Sequence, residues 1–517
     1  ALENVHVTIT THNGAAGSGQ EGNIVVSSSL ANINTKSSGR RLTLFAAEDI
    51  TVSNTISSSG GPLDVRLRAQ GNVVIDSNAD IITKGGEFKV SGSNDDGDAD
   101  VEQSIDAAAG SFKLSSGSDI ITTGGSDLPG GAVTIKTTVR SASLGAATDG
   151  DIEILGNITT SGGTATSTGQ AGGAVSLSAG VEGTTAGKII ISTGADITTT
   201  GSNAAGSGNS AGGAGGAVTL DTNGGATGTI TLTDTSISTG GGTKVNSGAD
   251  GVGGTITISD PLLISTSSNS KATLLDTGST VAGNVTISGT IDGVTEGSAL
   301  EDHLDIISGT GAVDIGGVIG GTVALTSLDI NATSSTGNID VTNIGDGTPT
   351  LGVTGAVVLG NANTATLDLD GTNYDVGSIT FGSNYSFSGS TGNFETAGNI
   401  RFLGNVTVNG NLTLDSGGGD ITFDGNVVGT DGDEVLTLTD GAGGSEEGTI
   451  TFGGNVGAGN NLLSLVVTAD TAIKLGGTVT TANANNNHID LNGPVILTAA
   501  TTLDTTANTG TIDFSST

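Results

Sequence analysis

The chain of 517 residues has no cysteine, no methionine and no tryptophan, and its aromatic residues are two tyrosines and ten phenylalanines. Without cysteine there is no disulfide framework, so packing and hydrogen bonds must supply the stability. So few bulky side chains cannot anchor the core of a large globular domain. A narrow core of Val, Ile, Leu and Ala needs no such anchors, and this composition therefore favours a slender repeat architecture.

Basic residues are also scarce: 15 Lys and Arg stand against 52 Asp and Glu, which gives a net charge of −37. Nucleic acids and anionic membrane surfaces are bound through clustered Lys and Arg, so we expect neither as a partner. The charge is uneven, with −6 in residues 1–140 and −31 in residues 141–517. A solvated acidic surface explains this simply, and a polarity that favours head-to-tail contacts is the alternative.

No apolar run approaches the roughly 18–20 residues that a membrane-spanning helix requires, so we expect no membrane insertion. No secretion signal is visible, so Ala1 is either a mature terminus or the start of a fragment.

Glycine is abundant, with 90 residues, and it marks a repeated phrase. The phrase joins a short β-branched run to Ile-Thr-Thr and glycines, as in DIEILGNITTSGG at residues 151–163. Its copies align on one isoleucine, at Ile82, Ile121, Ile158, Ile197 and Ile237, and the successive intervals are 39, 37, 39 and 40. A fixed period of this kind indicates a repeat protein.

A second phrase identifies the content of each repeat. It reads GGAVTI at residues 130–135, GGAVSL at 172–177, GGAVTL at 215–220 and GGTITI at 253–258. Every second residue is apolar, which predicts strands with one buried face, and no segment has helical spacing. Two coils of roughly 20 residues per repeat would form an all-β fold, a parallel β-solenoid in which each coil buries its inner face on the next.

The repeat pattern changes along the chain and suggests two domains. Residues 1–300 are predicted to carry double-coil repeats with a period of ~39 and protruding glycine-rich loops, such as residues 164–171 and 202–214. These loops have no aromatic residue or histidine, so a spacer role is simpler than a receptor site. Residues 301–517 are predicted to continue the solenoid with shorter coils.

Eight of the aromatic residues fall between positions 374 and 452, and we predict that they stack in the core as a ladder. They are Tyr374, Phe381, Tyr385, Phe387, Phe394, Phe402, Phe423 and Phe452.

One acidic loop is a candidate metal site. Asp96, Asp98 and Asp100 alternate in SNDDGDADV, as at the start of an EF-hand loop, and Ca²⁺ prefers converging carboxylate and carbonyl oxygens. The match is partial because residue 107, at loop position 12, is alanine rather than glutamate. A solvated acidic turn is the alternative. Asp431, Asp433 and Glu434 form a weaker second candidate, and we expect no other cofactor.

The sequence gives little support for an enzyme. It contains no phosphate-binding loop and no cysteine nucleophile. The four histidines, His6, His12, His303 and His488, lie far apart, and solitary surface histidines are the simpler interpretation. We therefore expect no catalytic residues. A β-helical polysaccharide lyase or hydrolase stays a minor alternative, as does ice or crystal binding through Thr-x-Thr arrays.

The last third has its own phrase: GNIRFLGNV at 398–406, GDITFDGNV at 419–427 and GTITFGGNV at 448–456. Ile400, Ile421 and Ile450 occupy its equivalent positions, at intervals of 21 and then 29. This pattern resembles the repeat regions of filamentous-haemagglutinin-like and autotransporter-like bacterial surface proteins. The resemblance is diffuse over most of the chain and strongest after about residue 398. It implies a right-handed parallel β-helix, export to the cell exterior and an adhesive or structural role. The chain departs from that family because it has neither a two-partner secretion-domain signature nor a membrane-barrel segment.

We therefore expect an extracellular structural or adhesive rod at a bacterial surface, which assembles into filaments through its solenoid ends. Strand-like runs, VHVTIT at residues 5–10 and GTIDFSS at 510–516, lie near both ends of the chain. The alternative is a passenger-type adhesin that binds host or surface glycans or matrix as a single rod.

Overall fold

The structure is a computed structural model. It describes residues 5–11, 22–35, 39–69, 71–91, 110–138, 150–180, 187–222, 228–267, 272–294, 302–331, 336–345, 352–361, 364, 367–369, 373–381, 385–396, 400–402, 405–429, 432–440, 448–482, 488–505 and 510–515.

These residues form an all-β fold that contains no helix, and the chain divides into two compact units, Ala1–Gly289 (unit 1) and Thr290–Thr517 (unit 2). The strands of unit 1 are β1 Val7–Thr10, β2 Ile24–Val26, β3 Leu30–Ile33, β4 Arg40–Ala46, β5 Ile50–Val52, β6 Ile56–Ser58, β7 Leu63–Ala69, β8 Val73–Ile75, β9 Ile81–Ile82, β10 Phe88–Val90, β11 Phe112–Leu114, β12 Ile120–Ile121, β13 Val133–Lys136, β14 Ile152–Ile154, β15 Ile158–Thr159, β16 Val175–Ser178, β17 Lys188–Ile191, β18 Ile197–Thr198, β19 Val218–Asp221, β20 Thr229–Thr233, β21 Ser236–Ser238, β22 Ile256–Ile258, β23 Leu262–Ser265, β24 Thr273–Asp276 and β25 Val285–Ile287.

The strands of unit 2 are β26 Ile291–Gly293, β27 His303–Ile307, β28 Val313–Ile319, β29 Ser327–Ile330, β30 Ile339–Ile344, β31 Val353–Leu359, β32 Leu367–Leu369, β33 Asn373–Phe381, β34 Tyr385–Thr396, β35 Ile400–Phe402, β36 Val406–Asp415, β37 Ile421–Phe423, β38 Val427–Gly429, β39 Val435–Thr439, β40 Thr449–Phe452, β41 Ser464–Thr468, β42 Ala472–Leu475, β43 Val479–Thr480, β44 His488–Asn492, β45 Val495–Leu497, β46 Leu503–Asp504 and β47 Thr511–Ser515.

In unit 1 each strand pairs in parallel with the strand three places later in the chain, so three sheets run side by side. The first contains β1, β4, β7, β10, β13, β16, β19, β22 and β25. The second contains β2, β5, β8, β11, β14, β17, β20 and β23. The third contains β3, β6, β9, β12, β15, β18, β21 and β24. The predicted parallel β-helix is confirmed.

Each repeat of unit 1 is one coil of three strands, not the two coils that the sequence suggested. Ile120 pairs with Ile158 and Ile158 with Ile197, so successive coils there take 38 and 39 residues. Coils near the predicted 20 residues occur in both units: Ile50 pairs with Val73 in unit 1, a coil of 23 residues, and Ile400 pairs with Ile421 in unit 2, a coil of 21 residues. Within unit 1 the difference lies in the loops, because the strands of the third sheet are two or three residues long in both the shorter and the longer coils.

The inward column of the third sheet differs from the predicted alignment by one residue at two positions. Ile81, Ile120 and Ile158 stack in register with 0% exposure, whereas Ile82 and Ile121 face outward and are only half-buried. In a strand a slip of one residue moves a side chain to the other face. The sequence could not separate two adjacent isoleucines by apolar pattern alone.

Two arginines on the outward face of β7, Arg66 and Arg68, are buried. Arg68 alternates with the core residues of β7, yet it is 2% exposed, and its guanidinium lies 5.2 Å from the centre of the Phe45 ring on the adjacent strand β4. Arg66 is also buried, at 9% exposure. Strand alternation alone predicts solvent exposure for both arginines. The alternation within β7 does not reveal their burial, because the Phe45 ring that contacts Arg68 belongs to another strand.

Unit 2 contains longer strands that turn a corner. The first half of β36 pairs with β38 and its second half with β39. In its core Phe402, Phe423 and Phe452 stack with ring centres 4.6 and 5.2 Å apart and planes within 4°. These three rings belong to the expected aromatic ladder. The side chains of Tyr374, Phe381, Tyr385, Phe387 and Phe394 lie outside the described part of the chain.

We expect Phe423→Ala to lower the free energy of unfolding of unit 2 by about 3–5 kcal/mol, because it leaves a cavity between two stacked rings. Phe514→Ala is the matched control, since Phe514 is 60% exposed. Denaturant-dependent hydrogen exchange of β35, β37 and β40 would measure both losses. An equal loss in the two variants would show that the stack is not a stabilising part of the core.

Candidate functional surface

A column of buried threonines fixes where the loops of unit 1 leave and rejoin the solenoid. Each follows a strand of the third sheet, is fully buried, and donates its hydroxyl to a glycine carbonyl at 2.5–2.6 Å; the pairs are Thr83–Gly86, Thr122–Gly131, Thr160–Gly173, Thr199–Gly216, Thr239–Gly254 and Thr277–Gly283. The separation within a pair ranges from 3 to 17 residues. We call these pairs the clamps.

Most clamps also contain a reciprocal backbone bond. The amide of Gly173 donates to the carbonyl of Thr160 at 2.6 Å, and that of Gly216 donates to Thr199 at 2.6 Å. The hydroxyl and the carbonyl of the threonine are thereby both hydrogen-bonded inside the core, where an unpaired polar group would lower the stability. Loops of different length therefore share one attachment point.

The loops held by the clamps stack on one another. This loop array comprises residues 123–130, 161–172, 200–215 and 240–253. On the outgoing limbs Gly162 N donates to Thr200 O at 2.9 Å, and Gly201 N donates to Gly240 O at 3.0 Å. On the returning limbs Gly172 N donates to Ala214 O at 2.8 Å, and Gly215 N donates to Val252 O at 2.8 Å. The coil-to-coil hydrogen bonding thus continues beyond the sheets.

The two limbs are also bonded to each other, which only glycine permits. Gly213 N donates to Ser202 O at 2.9 Å, Gly242 N to Gly213 O at 2.8 Å and Gly251 N to Gly242 O at 2.8 Å. A Cβ on Gly213, Gly242 or Gly251 would lie 1.9–2.0 Å from a backbone oxygen. Backbone bonds between the limbs thus hold loops that have no apolar core, and the spacer role stays a prediction.

The outgoing limbs expose hydroxyl and amide groups. The carboxylate of Asp127 accepts the amide of Thr166 at 2.7 Å and its hydroxyl at 2.8 Å, and these bonds lower the pKa of Asp127 below its usual value. Asn203 Oδ1 accepts the amide of Thr243 at 2.8 Å in the next coil. These side chains fix the loops in register and leave a polar, hydroxyl-bearing surface.

The returning limbs expose small apolar side chains at the positions that stack between coils. Val252 is 52% exposed, and the shared positions are Pro129, Ala171, Ala214 and Val252. Val281, in the short loop of the Thr277–Gly283 clamp beside the array, follows in the same register and is 37% exposed. Charge is sparse in the whole array. Residues 161–172 and 200–215 contain none, and in the last loop Lys244 Nζ lies 3.4 Å from Asp250 Oδ2. The array is thus a nearly neutral surface on an acidic protein.

The predicted calcium sites fall mostly outside the described residues, where Asp96, Asp98, Asp100 and Asp431 lie. Asp433 is exposed, whereas Glu434 is 1% exposed and its Oε2 accepts the amide of Gly432 at 3.0 Å. In the described ranges no group of three or more histidine, aspartate or glutamate side chains could hold a metal. Calcium binding at Asp96–Asp100 stays a prediction.

Two histidines have serine partners that the sequence analysis missed. His303 Nδ1 lies 2.6 Å from Ser327 Oγ, and His488 Nδ1 lies 3.2 Å from Ser464 Oγ, and both pairs are 24 residues apart. Burial raises the pKa of the nearby Asp305, and His303 opposes that rise. The coil length would have revealed these pairs, because residues one coil apart lie side by side on neighbouring strands, and both pairs are separated by 24 residues. His6 is exposed, and His12 lies outside the described residues.

Comparison with protein-family models, with curated proteins and with solved structures finds no match. The resemblance to filamentous-haemagglutinin-like proteins therefore rests on the residues quoted above. Within the described part of the chain, we find no helical segment of sufficient length and apolarity to cross a bilayer.

We expect Gly213→Ala to disrupt the loop array, because the new Cβ would lie 2.0 Å from the carbonyl oxygen of Gln170. Gly208→Ala in the same loop is the control, since its Cβ would meet nothing closer than 4.0 Å. Hydrogen exchange of residues 200–216 and 240–254 would report the change. Equal protection in both variants would contradict the glycine requirement.

We expect Thr199→Val to lower the stability of unit 1 by about 1–3 kcal/mol, because the buried carbonyl of Gly216 loses its hydroxyl donor. Thr219→Val, at an outward position of β19, should change the free energy of unfolding by no more than about 0.5 kcal/mol. Hydrogen exchange of β18 and β19 at increasing denaturant concentration would give the free energy of unfolding of both variants. A clamp variant as stable as its control would remove the assigned role.

Proposed function

We propose that this chain is an extracellular structural and adhesive protein of a bacterial surface, in which the β-helix holds the loop array as its contact surface. The observation that carries the proposal is the array itself. Its hydroxyl, amide and small apolar groups are held by hydrogen bonds from coil to coil, so they are preorganised for contact. Preorganised groups lose little entropy on binding. The near absence of charge lets another surface approach a protein of net charge −37.

Self-association into filaments belongs to the same proposal. Two strands support it. In β47, Ile512 and Phe514 pair with the core residues Ile489 and Leu491, yet they are 38% and 60% exposed. In β1, the side chain of Ile9 is 47% exposed. Exposed strand edges with apolar side chains are templates for another strand. In this proposal the strand comes from a second copy of the chain. A single solenoid that binds glycans or matrix through the loop array is the second candidate, and the polar outgoing limbs favour it.

Electron microscopy and sedimentation of the purified chain test the filament. We expect fibres from the native chain and soluble monomers from a variant with Ile512→Arg and Phe514→Arg, because charged side chains block edge pairing. Val252→Arg in the loop array is the control and should leave fibres intact. If the native chain sediments as a monomer at every concentration, filament formation is wrong and the single adhesin is retained.

Adhesion is measured separately, by binding of the native chain and of Val252→Arg to immobilised glycans and matrix proteins. We expect the arginine to weaken binding, and equal binding by both chains would remove the array as the contact surface.

A further inference from the structure

One corner of unit 2 holds a buried carboxylate at a position where other coils have small residues. In register after β36, β39, β41 and β44, the amides of Ser416, Asp440, Ala469 and Gly493 each donate to the carbonyl of the next coil. Ser416 is 0% exposed, Ala469 2% and Asp440 1%. Asp440 is therefore enclosed like its small counterparts but carries a titratable group.

The carboxylate of Asp440 is only half satisfied. Its Oδ2 accepts the amide of Asp470 at 2.7 Å, whereas its Oδ1 is buried and has no hydrogen-bond partner among the residues that the structure describes. Among the described residues, which omit 441–447, the charged groups that act on it are the carboxylates of Asp470 and Asp415. A buried charge of this kind is costly, and like charges nearby add to the cost.

Unit 2 offers little positive charge to compensate. Residues 290–517 contain 26 of the acidic residues and two basic ones, Arg401 and Lys474. Arg401 is already paired with Asp424, at 2.8 Å between Nη2 and Oδ2. Protonation of Asp440 is thus the direct way to remove the unfavourable charge.

We propose that Asp440 is an acid-responsive latch, which closes the corner between β39, β40 and β41 when it is protonated and loosens it when it ionises. The elements that it controls are in direct contact with it. A Cβ built on Gly448, just before β40, would lie 2.8 Å from the Cβ of Asp440, and the amide of Asp470 follows β41.

The direction of the pH effect follows from the pKa of Asp440. Burial raises this pKa above the ordinary value of 3.8; the bond from the Asp470 amide lowers it, and the carboxylates of Asp470 and Asp415 raise it further. A raised pKa means that the folded state holds the proton more tightly than the unfolded state. The stabilisation is fully present below pH 3.8 and is lost as the pH rises through the folded pKa.

Hydrogen exchange of the full-length chain between pH 4 and 7.5, corrected for the intrinsic exchange rate, tests the latch. In the native chain we expect the amides of residues 449–452 and 464–470 to lose protection as the pH rises. The opening equilibrium should change about tenfold for each unit of pKa elevation. In Asp440→Asn this loss should disappear, because the amide side chain keeps an acceptor for the Asp470 N–H and cannot ionise.

Asp420→Asn is the matched control, because Asp420 also accepts an amide from the next coil, that of Thr449 at 2.7 Å, but is exposed. It should retain the native pH dependence. Asp440→Ser, which restores the residue type of position 416, is a second variant in case the amide packs poorly. The proposal is overturned if the native chain and both Asp440 variants lose protection in parallel, or if Asp420→Asn abolishes the effect.

Discussion

Every feature of this protein depends on the backbone hydrogen bonds that join each coil to the next in parallel register. A parallel strand uses its amides and carbonyls on two neighbours, so a coil is stable only where the adjacent coils match it. Equivalent side chains then stack in columns at the spacing between strands. This proximity stabilises the isoleucine column and the phenylalanine stack through apolar contact, whereas a column of like charges is destabilised by repulsion.

The outward polar residues meet the same constraint through the backbone. In the third sheet of unit 1, the side-chain Oδ1 of Asp80, Asp119, Asn157 and Asp196 accepts an amide from the next coil at 2.9–3.0 Å. Aspartate and asparagine are interchangeable in this role, because both present an acceptor oxygen at the same distance from the chain. The acidic composition thereby strengthens the stacking at such positions, and the cost of the charge is limited by solvent. Asp440 departs from this rule because it is buried.

The strand pattern and the period were readable from the sequence because both follow from local alternation and repetition. What could not be read was nonlocal. Ile81 and Ile82 have the same apolarity, and only the pairing of neighbouring coils selects the inward residue. The burial of Arg68 depends on Phe45 of another coil, and the glycine bonds of the loop array join limbs that no strand pattern connects. The histidine–serine pairs likewise become visible only when the coil length is known.

The clamps explain how loops of different length are held in one ordered array. Thr83 and Thr199 make the same bond across 3 and 17 residues, so loop length is independent of the core. Loop closure costs only a slowly increasing entropy with length, and the array recovers it through backbone bonds. Composition can then vary on the exposed limbs without disturbing the isoleucine and valine columns. The result is a nearly neutral, ordered surface on a chain of net charge −37, and the proposed contacts are placed at the array and at the strand edges because like charge opposes contact elsewhere.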